Sequence, residues 1–172
     1  MLELYTAKAV IFDLDGTLVE STLDFAAIRR AIGCPQNEDL LQYTDALPKA
    51  LRLAAEAEIL AHELADAEHS NWLSGAKTCI TELASRNTPM AIVTRNCRQA
   101  TELKLQRNRI PIQLVLTRED APAKPKPDAL LMIAEYWGLA PCEIVYVGDY
   151  IYDEQAAQNA GMQFLYSTFG LD

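Results

Sequence analysis

Mostly apolar runs recur along the chain at residues 9–12, 90–93, 112–116, 144–147 and 163–166. Each is four or five residues long and shows no polar alternation. Such runs predict strands of a parallel sheet covered on both faces. Helical patterns lie between them. Residues 75–86 place Cys79, Ile80, Leu83 and Ala84 on one face, and residues 97–108 carry Ala100, Leu103 and Leu105 among charges. Residues 128–137 have Pro127 before the start and Gly138 just past the end, the expected terminal asymmetry of a helix. A further helix over 153–160 stops at Gly161. From residue 75 onward helix and strand alternate, which predicts an α/β fold with right-handed crossovers.

Residues 20–72 break that alternation and contain no strand pattern. The stretch 24–32 reads as a helix stopped by Gly33 and Pro35. Asp45 is placed to cap a long second helix, with Pro48 tolerated in its first turn. Leu47, Ala50, Leu51, Ala54, Ala57, Leu60 and Leu64 recur there at helical spacing. Glu56, Glu58, Glu63, Asp66 and Glu68 are interleaved with them and read as a solvated face. The segment predicts a small helical module between the first strand and the rest of the sheet.

The chain has 172 residues, half of them apolar, and a formal net charge of −9. That balance suits one globular domain with a small insertion. The acidic charge argues against nucleic acid or an anionic membrane as partner, because phosphate backbones call for clustered Lys and Arg. Small anionic substrates stay open, since a metal and a few local cations can bind them. No apolar stretch approaches the length of a membrane span, and the first 20 residues lack the pattern of a signal peptide. The four cysteines form no CxxC pair. Reduced thiols in the cytoplasm are the expectation.

Chemistry concentrates where the strands end. Asp13-Leu14-Asp15-Gly16-Thr17 follows the first run directly. In open α/β sheets ligands bind beyond the carboxyl ends of strands. Two carboxylates two residues apart repel unless one holds a proton or a cation intervenes. The pair suits a hard divalent metal, a nucleophile and a separate acid/base. An Asp-Gly turn with a capping Asp is the plainer alternative. Gly148-Asp149 follows the fourth run, with Asp153 one helical turn on. These could add oxygen ligands, or could simply complement a helix dipole. Thr94, with Arg95 and Asn96 behind it, is either a phosphoryl-oxygen donor or a helix cap. Lys124, in Lys-Pro-Lys-Pro, supplies positive charge or an exposed turn. No P-loop and no GxGxxG is present.

Taken together, these four pieces resemble the haloacid dehalogenase-like hydrolases, in order and spacing over nearly the whole chain. The resemblance lies in Asp13-Leu14-Asp15-Gly16-Thr17, Val93-Thr94, Lys124 in Lys-Pro-x-Pro, and Gly148-Asp149-x-x-x-Asp153 followed by small residues. The nearest members are small phosphoglycolate phosphatase-like ones. The resemblance implies a Rossmann-like parallel sheet of five strands in the order 3-2-1-4-5. It implies a core of residues 1–19 and 73–172 and a small helical cap of residues 20–72. It also implies Mg²⁺ bound by Asp13, Asp15, Asp149 and Asp153, the Asp15 ligand being its backbone carbonyl. Asp13 would be the nucleophile, Asp15 the general acid and base, and Thr94 and Lys124 the stabilisers of the transferring phosphoryl group. Arg95 and Asn96 beside Thr94 would join Lys124 in binding substrate. The second Asp points to a phosphatase acting on a small phosphorylated metabolite. A sugar phosphomutase and a catalytically idle binding module are the alternatives. Here Tyr150 stands where many relatives carry Ser or Thr. For a second anionic group on the substrate the candidates are Arg29, Arg30, Lys49, Arg52, Arg95 and Arg98. Oligomeric state is not legible.

Overall fold

The computed structural model describes residues 2–171. Strands β1 (Ala9–Phe12), β2 (Met90–Val93), β3 (Leu114–Leu116), β4 (Ile144–Gly148) and β5 (Gln163–Tyr166) form one parallel sheet in the order β3-β2-β1-β4-β5. This is the expected order, with β1 central. All four residues of β1 are buried. Alternate residues serve opposite faces, as the strand period requires. Val10, Phe12, Ile92, Val145 and Val147 pack with Cys79, Ile80 and Leu83 of helix α4 (Ala76–Ser85). Ala9, Ile11, Ala91, Ile144 and Tyr146 pack on the other face. Their partners are Leu130 and Ile133 of α6 (Asp128–Trp137) and Ala156 and Ala157 of α7 (Ile151–Ala160). The third strand is shorter than its apolar run: Ile112 is buried in the core ahead of it but makes no ladder.

Three helices fill the gap between β1 and α4. They are α1 (Phe25–Ile32), α2 (Leu40–Ala46) and α3 (Lys49–Ala67). Two expectations fail here. Asp45 caps nothing and lies inside α2, a seven-residue helix whose N-cap is Asp39, with Pro48 heading α3. The buried stripe of α3 is Ala55, Ile59, Glu63, Asp66 and Ala67, not the Ala50–Leu51–Ala54–Ala57 face, and Leu51 stays exposed. Glu63 and Asp66 therefore do not belong to a solvated face. Each is buried because it has a cationic partner across from it.

The chain enters and leaves this segment side by side. The Glu20 N–H donates to the Asn71 carbonyl (2.8 Å), and the Leu73 N–H donates to the Leu18 carbonyl (3.0 Å). Helix α5 (Arg98–Asn108), between β2 and β3, meets α3 through Ala67, Cys97 and Ala100. It buries Thr101 and Lys104, while Leu103 and Leu105 are only half-buried. All four cysteines are free thiols, three of them buried. Among the described residues no helix is long and apolar enough to cross a membrane.

Candidate active site

Asp13 follows the last residue of β1, and its N–H still donates to the Val147 carbonyl of β4 (2.8 Å). That bond fixes the backbone from which the carboxylate projects. Asp149 follows the end of β4, and Asp153 lies in the first turn of α7. The chain can bring these three together only because two positions lack a Cβ. At Gly16, which has φ of +75°, a Cβ would collide with the Asp149 carboxylate. At Gly148 it would lie 2.5 Å from Asp153 Cγ. Oxygens of Asp13, Asp149 and Asp153 all lie within 4.8 Å of one another.

One ammonium is set among them. Lys124 Nζ donates to Asp13 Oδ1 (2.8 Å), Asp153 Oδ1 (2.5 Å) and the hydroxyl of Tyr146 (2.8 Å). The Tyr146 hydroxyl donates in turn to Asp153 Oδ1 (2.8 Å). Asp153 Oδ2 accepts the N–H groups of Asp149 (3.2 Å) and Tyr150 (3.0 Å) at the start of α7. Asp153 thus serves a helix N-terminus with one oxygen and faces the cluster with the other.

The electrostatics are unbalanced. Burial pushes the Asp13 carboxyl well above the usual range, Lys124 opposes that, and Asp153 and Asp15 reinforce it. Asp149 is raised by burial and then by Asp153. Burial works against the Lys124 ammonium, but Asp13 and Asp153 hold its pKa above the ordinary lysine value. Burial first, then Asp13 and Asp153, raise the Tyr146 phenol well above its ordinary value. Three carboxylates surround one ammonium, which bonds Asp13 and Asp153, while Asp149 accepts from the Thr17 hydroxyl (3.2 Å). A hard dication, which prefers six or more oxygen ligands, suits this donor set.

Asp15 faces elsewhere. Its carboxylate accepts from Asn96 Nδ2 (2.9 Å) and from Lys104 Nζ. Its side chain is outside the three-carboxylate group, so only its backbone is a candidate ligand. Lys104 is fully buried and also donates to Asp66 Oδ2 (2.5 Å) at the end of α3. Asp66 accepts as well from Ser21 Oγ (3.0 Å) and from the Thr22 N–H (2.6 Å) and hydroxyl (3.0 Å). Burial would raise the Asp66 carboxyl, yet Lys104 and Thr22 hold it below its usual value. Lys104 was not legible beforehand, because it sits in a helix rich in charges and its partners are far away in sequence.

Thr94 is buried at the end of β2, and its Oγ1 accepts the Asn96 N–H (3.1 Å). That is a local turn rather than the helix cap of the plainer reading, since Cys97 caps α5, and Thr94 also borders the cavity. Arg95 does not point free toward a ligand. It pairs with Asp39 (2.6 Å), donates to the Lys124 carbonyl (2.6 Å) and lies over the Tyr152 ring. Arg30, Lys49, Arg52 and Arg98 do not border the cavity, and Arg98 pairs with Asp120 and Glu119 at the surface. Arg29 borders it, but its Nη1 donates to the carbonyls of Pro35 (2.8 Å) and Glu38 (2.6 Å). Glu63, expected on a solvated face, borders the cavity with Arg118, which the sequence did not single out and which binds it through two contacts.

The comparisons with known proteins agree with this geometry. The family description "haloacid dehalogenase-like hydrolase" matches residues 10–166. A haloacid dehalogenase-like hydrolase domain-containing protein of Arabidopsis thaliana is 29% identical over 160 residues, covering 87% of this chain. The match spans only 65% of that relative's own length. A phosphoglycolate phosphatase of Thiobacillus denitrificans is 27% identical over 190 residues, covering 95% of this chain and 84% of the relative. Among solved structures, a hydrolase from Pseudomonas syringae superposes with a TM-score of 0.75 at 21% identity, covering 91% of this chain and 82% of that one, which speaks to the fold. With its ordered motifs gathered at the ends of β1, β2 and β4, this chain belongs to the haloacid dehalogenase-like hydrolase family.

Proposed function

We propose that the protein is a magnesium-dependent phosphatase that hydrolyses a small phosphate monoester through an aspartyl-phosphate on Asp13. The observation that carries this reading is the buried Asp13 carboxylate at the end of the central strand, bonded to Lys124 and crowded by Asp149 and Asp153. A carboxylate so placed can attack phosphorus once its surplus negative charge is countered. Asp13, the Asp15 backbone carbonyl and Asp149 would hold Mg²⁺, with Asp153 behind them. When bound, the ion supplies the positive charge that lets two anions approach.

The chain's own residues do the rest. An Asp13 oxygen forms a bond to phosphorus as the ester P–O bond breaks. Asp15, whose side chain is one-fifth exposed at the same cavity, gives a proton to the departing oxygen. It then takes a proton from the water that displaces Asp13 and releases phosphate. Lys124, Thr94 and Asn96 hold the equatorial phosphoryl oxygens, where preset donors lower the barrier most. Residues 20–72 act as a cap over this centre. The phosphoglycolate phosphatase among the relatives supports the phosphomonoester class, and the free thiols fit a cytoplasmic setting.

The test is phosphate release from p-nitrophenyl phosphate in magnesium and in EDTA. Turnover confined to magnesium, without a bisphosphate activator, is the expected result and separates a phosphatase from a mutase. Full activity in EDTA would overturn the metal assignment.

A further inference from the structure

The cavity between the strand ends and helices α1–α3 has a volume of about 550 Å³. Sites of ~300–1,000 Å³ hold ligands of drug size. The phosphoryl group needs only the end at Asp13, Thr94 and Lys124. Beyond it, the inserted helices and the segment that leads into them present Leu23, Phe25, Ile28, Leu40, Leu41 and Ile59. The sheet side presents Tyr150 and Tyr152. Phe25 and Tyr150 are 55% and 58% exposed, so two large rings border one cavity and remain open to it.

The cations tell the complementary story. Among the described residues, those bordering the cavity are Arg29, Arg95, Arg118 and Lys124. Lys124 belongs to the phosphoryl end. Arg95 is neutralised by Asp39 and Arg118 by Glu63, both in the same wall. Arg29 spends Nη1 on closing the turn after α1. A second anionic group on the substrate would have to break the pair at Arg95 or Arg118 and settle beside Asp39 or Glu63, or be held by the remaining guanidinium nitrogens of Arg29 alone. An uncharged, ring-bearing group needs none of that. Aromatic faces and branched aliphatic side chains give it a surface to displace water from.

We infer that the preferred substrate is a phosphate monoester whose leaving group carries no second anion and presents a ring to the wall around Phe25. The inference rests on the phosphatase reading above. It distinguishes this chain from its phosphoglycolate phosphatase relative, whose named substrate carries a carboxylate on a two-carbon leaving group.

The experiment compares kcat/KM for benzyl phosphate, ethyl phosphate and 2-phosphoglycolate in magnesium. All three leaving groups are alkoxides, so intrinsic reactivity differs little. Benzyl phosphate should exceed ethyl phosphate about tenfold or more, the worth of burying one ring. 2-Phosphoglycolate should do no better than ethyl phosphate. Phe25→Ala should shrink the benzyl-to-ethyl ratio by about threefold or more. Because Phe25 is exposed, that variant has no core to lose. Equal use of benzyl and ethyl phosphate would overturn the inference, as would a benzyl preference indifferent to Phe25→Ala. A preference for 2-phosphoglycolate that disappears in Arg29→Ala or Arg95→Ala would overturn it in favour of a carboxylate subsite. Turnover of none of the three would overturn the phosphatase reading itself, and this inference with it.

Discussion

Lys124 and Lys104 are both buried, and each bonds two aspartates. Around Lys104 the carboxylates have ample donors. Asp66 receives Ser21 and Thr22 as well as the lysine, and Asp15 receives Asn96. Asp66 is accordingly held below its usual pKa. Around Lys124 the donors gather on Asp153, leaving Asp13 with Lys124 and Asp149 with Thr17. Asp13 and Asp149 are both raised by burial, and Asp153 raises each further. An acidic cluster with enough donors is a finished joint, here between α5, the end of α3 and the chain entering α1. A cluster with too few is a place where a cation or a proton has to come. The same residue types thus build a satisfied joint on one side of Asp15 and, on the proposed reading, the reacting centre on the other.

The largest effect should come from the cluster short of donors. Asp13→Asn keeps the shape and removes the attacking oxygen's charge. Hydrolysis of p-nitrophenyl phosphate should fall to background while circular dichroism reports an intact fold. Substantial residual turnover would mean that another group attacks phosphorus. Asp15 joins the two clusters functionally, and Asp15→Asn should slow turnover by about 10²–10⁴-fold, the usual worth of a general acid. Esters with poor leaving groups should lose most in kcat/KM. Equal losses across a leaving-group series would remove Asp15 from the acid role.

The finished joint should break as structure. Lys104→Met leaves Asp66 buried beside Asp15 with no ammonium between them, which should cost about 3–5 kcal/mol in urea unfolding. A loss below about 1 kcal/mol would show that the bridge contributes no more than a surface pair. Magnesium should sharpen the contrast by acting on the other cluster alone. It should raise the melting temperature by linkage, about 2.7 kcal/mol in free energy at a hundred times Kd. Calcium should stabilise too, but its looser coordination should suppress turnover.

The magnesium gain carries a pH sign. A carboxyl whose folded pKa is raised stabilises the fold below its unfolded pKa, and loses that contribution as pH rises through the folded value. Magnesium should therefore help more as pH rises and Asp13 and Asp149 give up their protons. It should help less as pH falls and protons take the same oxygens. A melting gain that grows on acidification would contradict this. The smallest effect is expected far from both clusters: Arg98→Ala, which breaks an exposed pair with Asp120, should change stability by less than about 1 kcal/mol.

The sheet was legible because a parallel sheet covered on both faces writes itself as short continuous apolar runs. Asp13, Thr94 and Asp149 stand out because they sit at strand ends, Asp153 because it lies one helical turn past one, and Lys124 through its Lys-Pro-x-Pro setting. The inserted helices were harder. A seven-residue helix such as α2 has too few turns to display a period, so Asp45 looked like a cap when Asp39 was one. Glu63 and Asp66 look solvated because charge usually is, and Lys104 is one charge among many in its helix. Their burial depends on partners as far as 89 residues away, which no local pattern records. Tyr146 was read only as part of an apolar strand, although its hydroxyl ties Lys124 to Asp153.

The central claim is that Asp13 becomes covalently phosphorylated, and peptide mass spectrometry after acid quench tests it most directly. Protein mixed with magnesium and a slowly turned-over phosphate ester should yield the peptide containing Asp13 with one added phosphoryl group. The label should be absent in Asp13→Asn, and should accumulate in Asp15→Asn with a good leaving group because the attacking water lacks its base. Turnover with no labelled peptide at any quench time, or a label on a different residue, would contradict the account.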